Sequence, residues 1–323
     1  MNPYIGQELQ LGGVQEVQLL EGKGKGMRLF LIRNEAGLEM SVSPDRNSDI
    51  SRLSYRGMNL SYFSPCGYVA PAYYDSTGSN WLHSFTAGFL TTCGLNAVGS
   101  PCEDEGELLP LHGTIANTPS SHSFWDANEE SYLIHSVTRD EAIFGRKLRL
   151  SRTITIPKKA ASFILEDAVE NTGDRDEPFE ILYHMNMGYP LLDENSIVTI
   201  PSSSVRARDA HAQEDIENWM HMEKPQAGYQ ERCYYHTFED GKGYASIYQP
   251  MSQVGLSISF DAQRLDGFVE WKMMGIRDYV LGLECGNCLP DGRDVMRKNG
   301  MLKFLKPGEK ALCRVKVDII TKS

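Results

Sequence analysis

The sequence predicts an all-β protein, a large antiparallel β-sandwich with few short helices. Two observations carry this: apolar and polar residues alternate over many short runs, and helical periodicity is scarce. The clearest run is 147–156, where Leu148, Leu150, Ile154 and Ile156 alternate with Arg149, Ser151, Thr153 and Thr155 until Pro157 ends the pattern. A period of two belongs to a strand with one face in the core, because successive side chains point to opposite faces. Segments 163–169, 244–248, 255–260 and 311–320 repeat the pattern, bounded by the Gly, Pro, Asn and Asp residues that make turns. The best helical candidate, 209–222, lacks an apolar stripe and reads as a loop or a peripheral helix.

With no Pro- or Ser-rich linker and no internal repeat, the 323 residues read as one domain, 1–323. The 41% hydrophobic and 23% charged fractions are those of an ordinary globular protein. A formal net charge of -11 without a local Lys/Arg run opposes phosphate backbones and anionic bilayers, so neither nucleic acid nor membrane is expected as a partner. The opening residues lack a basic region followed by an apolar one, and no run of about 18 apolar residues occurs; a cytoplasmic location is expected, as monomer or homodimer.

Seven cysteines at irregular spacings read as reduced thiols. Cys285 and Cys288 have the C-x-x-C spacing, yet neither two further zinc ligands nor a βαβ context accompanies them. The other histidines show no ligand spacing, so no metal and no cofactor is expected.

Three places could carry chemistry. In 183–189, a strand puts His184, Asn186 and Gly188 on one face and Tyr183, Met185, Met187 and Tyr189 on the other. Gly188 would leave a ligand room to approach, and His184 is either a proton-transfer group or a histidine hydrogen-bonded for packing. In 279–284, Val280, Gly282 and Glu284 share one face of an apolar strand. Glu284 is then either a desolvated carboxyl with a raised pKa or a solvated strand end. The third is His112, followed by Gly113, inside 93–123, a segment dense in Gly, Pro, Ser and Asn around the acidic residues 103–107. It reads as a long irregular excursion, the kind of loop that carries function.

Taken in order, the stretches 88–95, 111–113, 166–188 and Glu284 resemble the galactose mutarotase-like superfamily, which includes aldose 1-epimerases and hexose-phosphate mutarotases. The likeness spans most of the chain. Segments 91–95 and 111–113 are most similar to a bacterial branch of that superfamily known as a domain of unknown function. The resemblance implies a supersandwich whose concave sheet holds a small-molecule sugar. It also implies mutarotation: Glu284 takes the proton of the anomeric hydroxyl and His184 protonates the ring oxygen. The ring opens, C1 rotates, and closure gives the other anomer without a cofactor. His112 matches a sugar-binding histidine of the family.

The family's arginine before the glycine-containing segment is replaced by Thr86 and Ala87. Arg46 or Arg52 could stand in for it, with Asp49 accepting sugar hydroxyls, Asn186 beside His184, and Lys272 next to Trp271 as further contacts. Two other outcomes stay open on this scaffold: a carbohydrate-binding protein without catalysis, and a different sugar isomerase or lyase.

Overall fold

The computed structural model describes residues 3–321. It is an all-β sandwich, about half strand, whose described residues include two short α-helices, Ala210–Gln213 and Arg293–Lys298. An eight-stranded sheet runs from His122–Ala127 through Ser131–Glu141, Lys147–Pro157, Ser162–Asn171, Lys310–Thr321, Val254–Asp261 and Lys242–Gln249 to Ile197–Thr199. A second sheet orders Ser204–Ala207, Arg232–Thr237, Gly267–Met274, Tyr279–Gly286, Glu177–Met187 and Lys303–Leu305, with Leu90–Leu95 also pairing on Glu177–Met187. A five-stranded N-terminal sheet, Gly13–Gln18 to Met58–Asn59, completes the fold.

Alternation explains the packing. Strand Lys147–Pro157 buries every second residue, and Leu148, Leu150, Ile154 and Ile156 enter a core shared with Ile181, Tyr183, Met185, Leu281 and Leu283 of the second sheet. Each such side chain contributes about 1.5–3 kcal/mol through its removal from water. Strands Glu177–Met187 and Tyr279–Gly286 are buried on both faces. One face meets the core; the other meets a second apolar cluster that includes Trp81, Phe85, Leu182, Cys233 and Val269. That second covered face is where a strand can present polar groups to an enclosed site.

A buried ion network ties the three sheets together. Arg152 grips Asp167 with two nitrogens, at 2.9 and 2.8 Å, and reaches Asp49 at 2.7 Å and the Thr92 hydroxyl at 2.8 Å. The Tyr183 hydroxyl donates to Asp167 at 2.9 Å. Burial works against the guanidinium's charge, but the two carboxylates overcome it and raise the pKa of Arg152.

One expectation changes, that 93–123 is irregular, and two are made specific. Segment 209–222 holds one α-helical turn, Ala210–Gln213, and a 3-10 turn, Ile216–Asn218, pinned from below by Lys272, whose Nζ donates to the carbonyls of Asn218 and His221. Segment 93–123 is more regular than its composition suggests, because Cys102–Asp104 and Glu107–Leu109 form a hairpin. Three of its acidic residues, Asp104, Glu105 and Glu107, are ion-paired: Asp104 accepts from Arg293 and Arg297, each at 2.7 Å. All seven cysteines are free thiols, and Cys285 and Cys288 belong to different apolar clusters. Among the described residues, no helix is long and apolar enough to cross a membrane.

Candidate active site

A cleft of about 560 Å³ opens on the face of the second sheet away from the core. Strand parity builds its floor: His184, Glu284, Val280, Val269, Trp271 and Met273 point into it from three neighbouring strands. His184 pairs in register with Glu284, so antiparallel geometry sets their side chains next to each other on one face. His184 Nε2 lies 3.4 Å from Glu284 Oε1. Glu284 is only 2% exposed, so it is not a solvated strand end.

Gly282, two residues before Glu284, is required by this arrangement. A Cβ there would meet Glu284 Oε1 at 2.3 Å and the Trp271 Cβ at 3.1 Å. Gly282→Ala should therefore displace the Glu284 carboxyl. A crystal structure of that variant with the carboxyl unmoved would refute the point. Gly188 serves a different purpose from the one expected. A Cβ there would meet the backbone of Tyr62 at 2.6 Å, so this glycine makes room for the 61–62 chain rather than for a ligand.

Burial governs the titration of the floor. It pushes Glu284 well above the ordinary carboxyl range, reinforced by Glu231 and opposed by Arg208. It pushes His184 down to about 3, helped by His112 and opposed by Asn186. Burial therefore favours the neutral form of both groups.

His112 hangs over the same floor, its ring centroid 5.6 Å from that of His184 and 4.9 Å from that of Trp81. Its backbone adopts φ 57°, a left-handed conformation that a non-glycine residue holds only when its surroundings enforce it. Here they do: the His112 N–H donates to the Gly99 carbonyl at 2.9 Å, and its carbonyl accepts from Gly94 at 3.1 Å. The Gly99 N–H donates to His112 Nδ1 at 3.3 Å. Nδ1 is thereby an acceptor, which leaves the ring proton on Nε2. Burial lowers the His112 pKa to about 4, so the ring is a neutral donor.

The remaining expected contacts lie elsewhere. Arg46 is buried, its nitrogens donating to the carbonyls of Ala116, Val69 and Ser84, and burial lowers its pKa to about 10. It staples loops that wall the cleft and has little left to offer a sugar. Arg52 stacks over Phe63. Asp49 belongs to the Arg152 network. Asn186 is fully buried behind His184, donating to the His184 carbonyl at 3.0 Å. Lys272 lies on the opposite face of its strand from Trp271, in the core with Glu270.

The cleft's arginine is Arg208. It follows strand Ser204–Ala207, while Glu231 precedes strand Arg232–Thr237, and the pairing of those strands brings the two together at 2.9 Å. The Trp271 indole N–H donates to the other Glu231 oxygen at 2.7 Å. One wall thus offers a guanidinium, a carboxylate and a flat indole, a set suited to sugar hydroxyls and ring faces. Nothing in the local sequence distinguishes Arg208 or Glu231 from surface charges, since only the strand pairing assembles them.

Solved structures with this fold include a protein from Klebsiella pneumoniae provisionally named an aldose 1-epimerase. It has TM-score 0.92 and 24% identity, covering 98% of this chain and 87% of that one. A galactose mutarotase-like protein from Clostridium acetobutylicum superposes with TM-score 0.69 at 14% identity over 97% of this chain and 100% of its own. Galactose 1-epimerase from Lactobacillus acidophilus does so with TM-score 0.62 at 12% identity, over 97% and 100%. These likenesses show the galactose mutarotase-like fold. No curated protein matches the sequence. The family model described as a domain of unknown function (DUF4432) matches residues 24–319, and the chain belongs to that family.

Proposed function

We propose that the chain is an aldose 1-epimerase-like isomerase that interconverts sugar anomers through Glu284 and His184. The observation that carries this reading is the pair itself: a buried carboxyl and imidazole 3.4 Å apart on a cleft floor, with His112 and Arg208 beside them. Ring opening needs one proton removed from the anomeric hydroxyl and one delivered to the ring oxygen. Two adjacent groups holding one proton between them can do both without forming a free ion.

Desolvation favours that proton on Glu284. Moving it to His184 gives the carboxylate base and imidazolium acid, a tautomer of the same net charge. Either form supplies one donor and one acceptor, and closure on the opposite face of C1 restores the pair. His112 Nε2–H, held neutral, donates to the oxygen on which negative charge develops.

Polarimetry or NMR exchange with a panel of freshly dissolved aldoses tests the proposal. Accelerated anomerisation of at least one sugar is expected. Binding without acceleration would leave a carbohydrate-binding protein, and loss of a substituent would indicate a lyase.

The pH profile follows from the shifts. Activity requires one proton on the pair, so kcat/KM is lost at low pH when His184 also protonates, with a midpoint near 3. It is lost at high pH when Glu284 ionises, above its ordinary 4.5. A broad bell results, and an acid limb centred at the ordinary histidine value of about 6.5 would count against the pair. Arg208→Ala removes charged donors and frees Glu231, so KM should rise roughly tenfold, the worth of a charge-assisted hydrogen bond. An unchanged KM would show that the sugar does not reach this wall.

A further inference from the structure

The His184 strand carries a second buried acid that the proposed reaction does not use. Glu180 is fully buried in strand Glu177–Met187, four residues before His184. Its Oε2 accepts the backbone N–H of Val98 at 2.9 Å, and its Oε1 has no hydrogen-bond partner. Val98 belongs to the 96–101 segment that leaves strand Leu90–Leu95 and forms one wall of the cleft through Gly99 and Ser100. The next amide along, Gly99 N–H, is the one that donates to His112 Nδ1.

The two sides of this segment are tied down differently. His112 is hydrogen-bonded through its main chain to Gly94 and Gly99, which fixes where its Cα sits. Ring orientation and tautomer depend instead on one amide, whose direction follows from how the 98–99 backbone is held. Gly99 adopts φ 85°, and a Cβ there would meet the Pro290 carbonyl at 2.1 Å, so the chain passes with no side chain to anchor it. The Glu180 carboxyl therefore supplies a side-chain anchor to the amide next to it.

We propose that Glu180 is a positioning residue for His112: by holding the Val98 amide it keeps the Gly99 N–H on His112 Nδ1, and so keeps the imidazole an Nε2–H donor facing the cleft. The consequence for catalysis rests on the mutarotase reading of the cleft; the effect on the imidazole does not. The groups facing Glu180 are Arg293, Lys303, Asp104 and Cys288. Burial raises its pKa to about 7, with the Val98 amide and Arg293 opposing and Asp104 reinforcing. Ionisation converts the contact to Val98 into a charge-assisted hydrogen bond, so the anchor tightens as pH rises through neutrality.

The ¹⁵N shifts of the His112 ring, recorded on the full chain with labelled histidine from pH 5.5 to 8.5, read this directly. The wild type is expected to show Nδ1 unprotonated and hydrogen-bonded, Nε2 protonated, and a small step centred near 7. Glu180→Gln keeps an acceptor for Val98, so it should keep the tautomer and lose the step. Glu180→Ala should give mixed tautomers and lower kcat roughly tenfold, the loss of about one hydrogen bond's worth of orientation toward the developing charge, with a smaller effect on KM. A folded Glu180→Ala protein with the wild-type His112 spectrum would overturn the proposal. So would a step that persists in Glu180→Gln, and that comparison decides the matter if the alanine variant does not fold. If the wild type anomerises no sugar, the functional reading fails while the ring spectrum still judges Glu180.

Discussion

Glu284→Gln should slow anomerisation by about a hundredfold to ten-thousandfold, the range that general acid–base catalysis by one positioned group supplies. Glutamine keeps the shape of the carboxyl over Gly282 but can neither accept nor release a proton under these conditions. His184→Asn should fall in the same range. The double variant should be little worse than either single one, because a donor and an acceptor that act as a unit are lost together. Polarimetry with the fastest sugar of the panel measures all three. A rate within about threefold of wild type for Glu284→Gln would remove the carboxyl from the chemistry.

The same substitution has a stability signature of known sign. Glu284 ionises at a higher pH in the folded protein than in the unfolded chain, because its site is desolvated. Its contribution to stability is thus present below the unfolded pKa, near 4.5, and declines as pH rises toward the folded value. Glutamine has no charge to desolvate, so Glu284→Gln should be at least as stable as wild type in urea titrations on the alkaline side. A residue that costs stability and governs rate is what an active site is expected to contain. A large loss of stability on this substitution would instead mark Glu284 as a structural carboxyl.

How far the sequence reaches is visible in particular residues. Alternation in 147–156 foretells strand Lys147–Pro157 because a half-buried strand imposes that period. His184 and Glu284 were legible as polar members of otherwise apolar faces, though their register across two strands was not. Lys272 shows what parity could have corrected: as the neighbour of Trp271 on a strand it must face the other way, into the core. Arg46 and Asp49 were unreadable for another reason, since composition reports a charge and not whether backbone carbonyls or a buried arginine have already claimed it. Arg208 and Glu231 lie 23 residues apart and meet only because their strands pair.

Arg152→Met should destabilise the fold by about 3–5 kcal/mol, the cost of removing one partner from a buried ion pair. Methionine fits the volume but leaves Asp167 and Asp49 facing each other across the core, with the Thr92 N–H and hydroxyl and the Tyr183 hydroxyl as their remaining donors. Two unpaired buried carboxylates must either stay charged without compensation or take up protons, so the loss should be smaller at pH 5 than at pH 8. Replacing the carboxylates as well, in Arg152→Met/Asp167→Asn/Asp49→Asn, removes the stranded charges. It should recover part of the stability, because much of the cost lies in those charges rather than in the worth of the intact network. Urea midpoints for the three proteins at both pH values measure this. A single-variant loss under about 1 kcal/mol, or one independent of pH, would show that the network is hydrated rather than buried. Because Tyr183 precedes His184 on the same strand and holds Asp167 through its hydroxyl, the single variant is also expected to lose activity at temperatures where it remains folded. The site would then depend on the network as the fixed side of the strand whose other side presents the imidazole.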